Sequence, residues 1–468
     1  MELTRREFLL RSTSGCLGYA LGASAFAAGL HRFGLINALA QGAEDYKALV
    51  CVFLAGGNDG NNMIVPLSRA DYTDYVNVRG PSGLALSPDH LKLVQPDSIT
   101  APFGFHERLA ELVPLFEQRN LAVVCNVGPL VEPLTRDEYQ NGGPRPYQLF
   151  SHADQIAQWQ TAIADRIEQT GWGGRCAEQF GAHATGFPTV TALSGGIFGR
   201  GARTTPLSIA SAPTPLDRLF VLNGFSDTPV DDARRSSMEF LRTIDADATL
   251  VAAASATTGQ AVRIGRIMSS DVTVTTEFPD TSLGNQLEQV AKVIRFNTML
   301  GERGLKRQIF FCQLGGFDTH QGQIATHGNL LAQLSTALDA FYRETVKLRL
   351  DRNITTFTLS DFGRTLQPAG SGATVGSDHA WGSHHFVLGG AVDGGDFYGV
   401  RGPSGTVFPL LKLGGLSDAD DRGRWIPTAS VEQYAATLAL WFGVTLDNLS
   451  AVFPNIGRFD TPTLGFIP

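Results

Sequence analysis

Cysteine is scarce in this chain, five residues in 468, and no Cys-x-x-Cys pair occurs. A cysteine zinc site is therefore not expected. An excess of positive charge is missing too. Lys and Arg number 37 against 45 Asp and Glu, a formal net charge of −8, so no basic face suggests nucleic acid. After residue 40 no run is long and apolar enough for a membrane span, which needs about 20 residues. The glycines at 56–60 lack the Gly-x-Gly-x-x-Gly spacing and the downstream acid of a dinucleotide site. Asp361-Phe362-Gly363 matches the magnesium tripeptide of protein kinases. The glycine-rich loop, its lysine and the His-Arg-Asp loop that belong with it are absent. No internal repeat is visible.

What is present begins with the N-terminus. Thr4-Arg5-Arg6-Glu7-Phe8-Leu9 precedes an apolar, Gly/Ala-rich stretch over 16–30, and Ala38-Leu39-Ala40 supplies a small-x-small cleavage pattern. These parts in this order predict a twin-arginine signal peptide over 1–40, cut after Ala40. A membrane anchor is the alternative, but the apolar run is short and diluted. The expected location is periplasmic or secreted. Cys16 lies inside the apolar stretch and is read as incidental. Cys51, Cys125, Cys176 and Cys312 follow. They are read as buried free thiols, with one disulfide as the alternative in an oxidising compartment.

Short Val/Ile/Leu/Phe runs at 48–54, 121–127, 308–314, 354–359 and 386–388 end abruptly in glycine or acid. Continuous apolar runs of this length predict strands buried on both faces. Helical patterns are read at 105–116, 154–164, 285–300, 329–348 and 431–442. The alternation predicts an α/β fold, a mostly parallel central sheet covered by helices. Residues 190–280 are rich in Ser, Thr, Ala and Pro. They are read as a segment inserted into a single domain over 41–468, partly helical at 233–243.

In an open α/β sheet, ligands gather beyond the carboxyl ends of the strands. Asp59 follows the first run, Asp318 and His320 the third, and Asp361 and Arg364 the fourth; His379 precedes the fifth. Carboxylates and imidazoles brought to one sheet edge are what a divalent metal needs. Five of the ten histidines fall at 320, 327, 379, 384 and 385. Ser151 stands just before a helical pattern. It is read either as an N-cap or as a nucleophile at a helix N-terminus, where the dipole also favours an anion. Arg364 is read as a bidentate partner for a substrate anion, or as a structural ion pair.

The chain resembles the DUF1501 family of twin-arginine-exported proteins, placed with the alkaline phosphatase and sulfatase superfamily. The resemblance runs from about Lys47 to the C-terminus. It rests on Gly56-Gly57-Asn58-Asp59-Gly60-Asn61-Asn62, His106, Leu121-Ala122-Val123-Val124, Ser151-His152, Trp159 and Gly171-Trp172. It continues through Phe317-Asp318-Thr319-His320, Ser360-Asp361-Phe362-Gly363-Arg364-Thr365 and Asp378-His379-Ala380-Trp381-Gly382. It implies an alkaline-phosphatase-like α/β/α sandwich that hydrolyses phosphate or sulfate esters of small molecules or polymers. It also implies one or two divalent ions, zinc first, with manganese or calcium as alternatives. Asp59, Asp318, His320, Asp361 and His379 would hold the metal, and Ser151 would attack. Phe362 stands where the superfamily places a ligand histidine; His152, His384 or His385 would have to substitute. His327 is an alternative partner for Asp318. A Cys-x-Pro-x-Arg signature is absent, which argues against a formylglycine sulfatase. A relative that keeps the fold and only binds a ligand, metal or partner protein is the competing expectation. The sequence does not set the oligomeric state.

Overall fold

The structure is a computed structural model that describes residues 45–181, 187–219, 228–242, 244, 249–268 and 271–468. The expected signal segment, 1–40, lies outside the described residues. Lys47–Pro468 form one unit.

It opens with β1 (Lys47–Ala55), whose seven inner residues are all buried. Next come α1 (Arg69–Arg79), β2 (Leu121–Gly128), α2 (His152–Thr161), β3 (Val190–Ala192) and β4 (Leu207–Ser208). Helices α3 (Pro229–Leu241), α4 (Thr249–Ile267) and α5 (Ser282–Met299) lead to β5 (Arg307–Gly315) and the long α6 (Gln323–Lys347). Then follow β6 (Ile354–Ser360), β7 (Arg364–Ala369), β8 (Gly376–His379), β9 (Ser383–Leu388), β10 (Phe397–Tyr398), β11 (Ala429–Ser430) and α7 (Val431–Phe442).

Nine strands form the central sheet, in the order β10-β2-β9-β6-β1-β5-β3-β4, with β11 also paired to β2. All pairings are parallel except those of β9, which runs antiparallel to β2 and β6. β7 and β8 form a separate antiparallel ribbon. Alternation along β1 turns Leu49, Cys51 and Phe53 to one face, where they share a core with Trp159 of α2 and Tyr434, Leu438 and Phe442 of α7. Among the described residues, none from α5 or α6 joins that core; α5 packs on β5 and α6 on α5, covering the other face. This is the α/β architecture with a mostly parallel sheet that the alternation predicts. Burying each large aliphatic side chain in it contributes about 1.5–3 kcal/mol.

Local chemistry sets the ends of α7. Ser430 Oγ accepts from the Gln433 amide at 3.0 Å, and Gln433 Oε1 accepts from the Ser430 amide at 3.0 Å. This reciprocal cap satisfies two orphan donors. Gly443, at φ +116°, closes the other end in the left-handed region.

Two readings change. The helix expected at 105–116 is a strand, Phe103–His106, followed by a short helix, Leu112–Glu117. Phe103 to Phe105 pair with Ile64–Pro66, and this tertiary pairing overrides the helical spacing. In the 190–280 segment, β3 and β4 extend the main sheet beside β5, so its first part belongs to the sheet, and α3 and α4 follow. The four described cysteines are free and buried. Cys51 and Cys312 lie on neighbouring strands, where Cys312 stands opposite Val52.

Candidate metal centre

The chain turns off β1 through two glycines. A Cβ on Gly56 (φ +116°) would stand 2.4 Å from the Asp318 amide nitrogen, and one on Gly57 (φ +87°) 2.5 Å from the Phe362 ring. Only glycine allows the ends of β1, β5 and β6 to come this close. Asp318 and Asp361 follow β5 and β6, His379 ends β8, and His152 opens α2.

These four meet. His152 Nε2 lies 3.1 Å from His379 Nε2, and each lies 3.4 Å from Asp318 Oδ1. His320 Nε2 stands beside them, 2.9 Å from His379 Nε2 and 3.0 Å from Asp318 Oδ1. Each imidazole is held from behind. Asp361 accepts the Gly56 amide through Oδ1 at 2.9 Å and faces His152 Nδ1 with Oδ2 at 2.6 Å. His379 Nδ1 donates to the Phe150 carbonyl at 2.8 Å. Asp378 Oδ1 lies 3.3 Å from His320 Nδ1.

This fixes the tautomers. An ionised Asp361 and a carbonyl only accept, so the Nδ1 atoms of His152 and His379 carry hydrogens and both Nε2 atoms turn lone pairs toward each other. Either a proton or a cation must lie between them. A tetrahedral zinc ion with N/O bonds near 2.0–2.1 Å spaces its donors about 3.3 Å apart. The 3.1, 3.4 and 3.4 Å edges of the His152–Asp318–His379 triangle match one face of that tetrahedron. Imidazoles whose rear N–H is bound by carboxylate or carbonyl are the usual surroundings of metal-ligating histidine. The donor set therefore fits a divalent ion.

Electrostatics agree. The hydrogen bond and charge of Asp361 outweigh burial and raise the His152 pKa, while burial lowers that of His379. Burial pushes Asp318 upward, but Arg364, then His320 and His152, more than offset it and bring it down to about 2. The carboxylate is thus an anion at any physiological pH.

A family model described as a protein of unknown function, DUF1501, matches residues 46–407. The chain belongs to the DUF1501 family. No curated relative matches it. Among solved structures it is similar to a sulfatase candidate from Bacteroides thetaiotaomicron VPI-5482, at 8% identity over 86% of this chain and 72% of that one, TM-score 0.33. It is also similar to a 2-O GAG sulfatase, at 10% identity over 86% and 71%, TM-score 0.31.

Of the residues singled out in this DUF1501 sequence, Asp318, His320, Asp361 and His379 come together. Asp361 reaches the triad through His152 rather than through its own oxygens. Asp59 goes elsewhere. Its carboxylate faces Arg79, with Nη1 at 2.6 Å from Oδ2 and Nη2 at 3.0 Å from Oδ1, and both side chains are fully buried. Gln323 Nε2 and the Asn61 amide take the remaining acceptor sites. Burial raises the Asp59 pKa, yet Arg79 more than offsets this and the net shift is downward. Arg364 is a buried strut. Its nitrogens donate to the carbonyls of Gly56, Gly57, Phe317 and Ser377 and to Asp318, and Nη1 also lies 3.4 Å from His320 Nε2. Ser151 is the N-cap residue of α2 but makes no side-chain cap; its hydroxyl donates to Asp154 Oδ2 at 2.6 Å.

Phe362 walls the site, its ring 4.7 Å from that of His152 and 4.6 Å from that of His379. His152 is thus the residue that brings a second imidazole where Phe362 supplies none. The other histidines stay outside the triad. His327 Nε2 bonds Asn58 Oδ1 at 2.9 Å, His384 stacks on Phe408, and His385 lies against Trp159. Burial pushes all three down to about 3. The partners that sequence reasoning missed are Arg79, Asp378 and the carbonyl of Phe150. Asp378 adjoins His379 and was open to notice; the other two depend on tertiary approach alone.

Proposed function

We propose that this DUF1501 chain is a metal-dependent hydrolase of phosphate or sulfate esters that works outside the cytoplasm after twin-arginine export. The observation that carries the reading is the convergence of His152 Nε2, His379 Nε2 and Asp318 Oδ1, with His320 Nε2 beside them. Zinc suits two imidazoles and one carboxylate best, with manganese or calcium as the alternatives. When bound, such an ion withdraws charge from the attacking and leaving oxygens of the ester.

The protein's own residues prepare the site. Asp361 and the Phe150 carbonyl hold two lone pairs in register, and Arg364 fixes Asp318 as an anion. Ser151 is the nucleophile in this reading. It sits one residue before His152 at the start of a ten-residue helix, where the dipole favours an oxyanion. Its hydroxyl already points at the Asp154 carboxylate, an acceptor for the proton it loses on attack. The bond from serine oxygen to phosphorus or sulfur forms as the ester bond breaks, and water later frees the enzyme.

A second reading has one observation in its favour. The Asp154 bond holds the Ser151 hydroxyl, and no bond links it to the triad. A metal-binding protein without turnover would look the same. The test is to load purified protein with zinc or manganese, measure metal by elemental analysis, and assay aryl phosphates and aryl sulfates. Metal uptake with turnover that Ser151→Ala abolishes supports the hydrolase. Uptake without turnover supports the binding protein. No metal and no turnover defeats both.

A further inference from the structure

Arg364 is fully buried and its guanidinium is committed to Asp318, backbone carbonyls and the His320 ring, so an anionic substrate needs another cation to read it. We propose that Arg422 and Arg424 form the anion-binding edge of this cleft and that the substrate is recognised through an oxyanion of the phosphate or sulfate type. This rests on the hydrolase reading for its chemistry, but the two arginines make a separate claim.

Their placement is built rather than incidental. The Leu366 amide donates to the Gly423 carbonyl and the Gln367 amide to the Arg422 carbonyl, each at 3.1 Å, so the segment runs alongside β7. Gly423, at φ +71°, faces Leu366, and a Cβ there would stand 2.3 Å from Leu366 Cβ. Only glycine fits between the two arginines. Residues 422 and 424 leave from the other side, toward β8. Arg422 Nη2 donates to Asp378 at 2.5 Å, and Arg424 Nε donates to the His379 carbonyl at 2.8 Å. The two guanidiniums thus attach to consecutive residues, one that backs His320 and one that belongs to the triad.

The loop behind them is gathered on one carboxylate. Asp418, fully buried, accepts from the amides of Gly414, Asp420, Gly423 and Arg424. Arg424 also stacks over the Phe150 ring at 4.2 Å, and the Phe150 carbonyl holds His379 Nδ1. One aromatic residue therefore positions both the metal donor and the arginine. Each arginine spends part of its fork on protein: Arg422 on Asp378 and Gln367, Arg424 on Asp420 and His379. Their other N–H groups have no protein partner among the described residues.

Charge fits the same assignment. Arg364, Arg422 and Arg424 each pair with a carboxylate, Asp318, Asp378 and Asp420. A divalent ion at the triad adds two positive charges, so metal and arginines together favour an anion more than the arginines alone.

The test uses inorganic phosphate as the probe, titrated calorimetrically into the full protein with and without zinc. Arg422→Gln and Arg424→Gln should each weaken phosphate binding about tenfold. Arg424→Lys, which keeps a point charge but not the fork, should lose less. Zinc stoichiometry and thermal midpoint should stay at the wild-type values in Arg422→Gln, whose side chain is half-exposed. Equal phosphate affinity in wild type and both Gln variants, or no phosphate binding to wild type in either state, overturns the proposal. Failure of wild type to take up zinc strikes the hydrolase reading instead, and the arginines are then judged on the zinc-free titrations.

Discussion

Replacing Asp361 with Asn tests the site where its geometry is most exacting. Asp361 does two things at once: Oδ1 accepts from the Gly56 amide at 2.9 Å and Oδ2 faces His152 Nδ1 at 2.6 Å. An asparagine is nearly the same size and can keep its oxygen on Gly56. Its NH2 must then point at His152 Nδ1, donor against donor. The imidazole relieves this by moving its hydrogen to Nε2, the atom that faces His379 and Asp318. A metal donor is lost without removing any ring. Loss of such a supporting contact typically costs 10–100-fold in metal affinity, or roughly 1.4–2.7 kcal/mol. Competition with a chromophoric zinc chelator reads this directly, and the melting temperature of the metal-free variant controls for folding. Zinc affinity within twofold of wild type, in a folded variant, would refute the tautomer argument and with it the role given to His152.

Other expectations concern the buried charges. Arg79→Met leaves Asp59 ionised or forcibly protonated in the core, at a cost of about 3–5 kcal/mol in urea unfolding; a loss under 1 kcal/mol would show the pair to be dispensable. Glu432 is buried, and burial, only partly offset by local hydrogen bonds from its own amide and Ser430, raises its pKa from 4.5 to about 8. Its folded pKa lies above its unfolded one, so stability is full below pH 4.5 and falls as pH rises toward 8. The slope is about 1.4 kcal/mol per pH unit. Glu432→Gln should flatten that loss, so the variant gains on wild type between pH 5 and 8; parallel urea midpoints would contradict it.

Much of this architecture could be read from one sequence because its signals are local. The apolar runs that become β1, β5 and β6 are continuous and end in glycine or acid, and the Ser430 to Gly443 span carries both of its caps. Strand ends then place Asp318 and Asp361 close together by topology alone. What could not be read depends on which side chain arrives first. Asp59 looks like a ligand after a strand, but Arg79, at the far end of α1, reaches it through the packing of that helix. Ser151 and His152 are adjacent, and only the direction in which α2 starts decides that the imidazole enters the triad while the hydroxyl turns to Asp154. Phe105 begins a spacing compatible with a helix until a neighbouring strand offers hydrogen bonds.

The four cysteines have one last implication. Each thiol is sealed among hydrophobic neighbours, and burial raises the pKa of every one of them, so little thiolate exists to react. A core assembled this way asks nothing of an oxidant. Glutathione would not loosen it and oxygen would not complete it, so Lys47–Pro468 can reach the same packed interior on either side of a membrane.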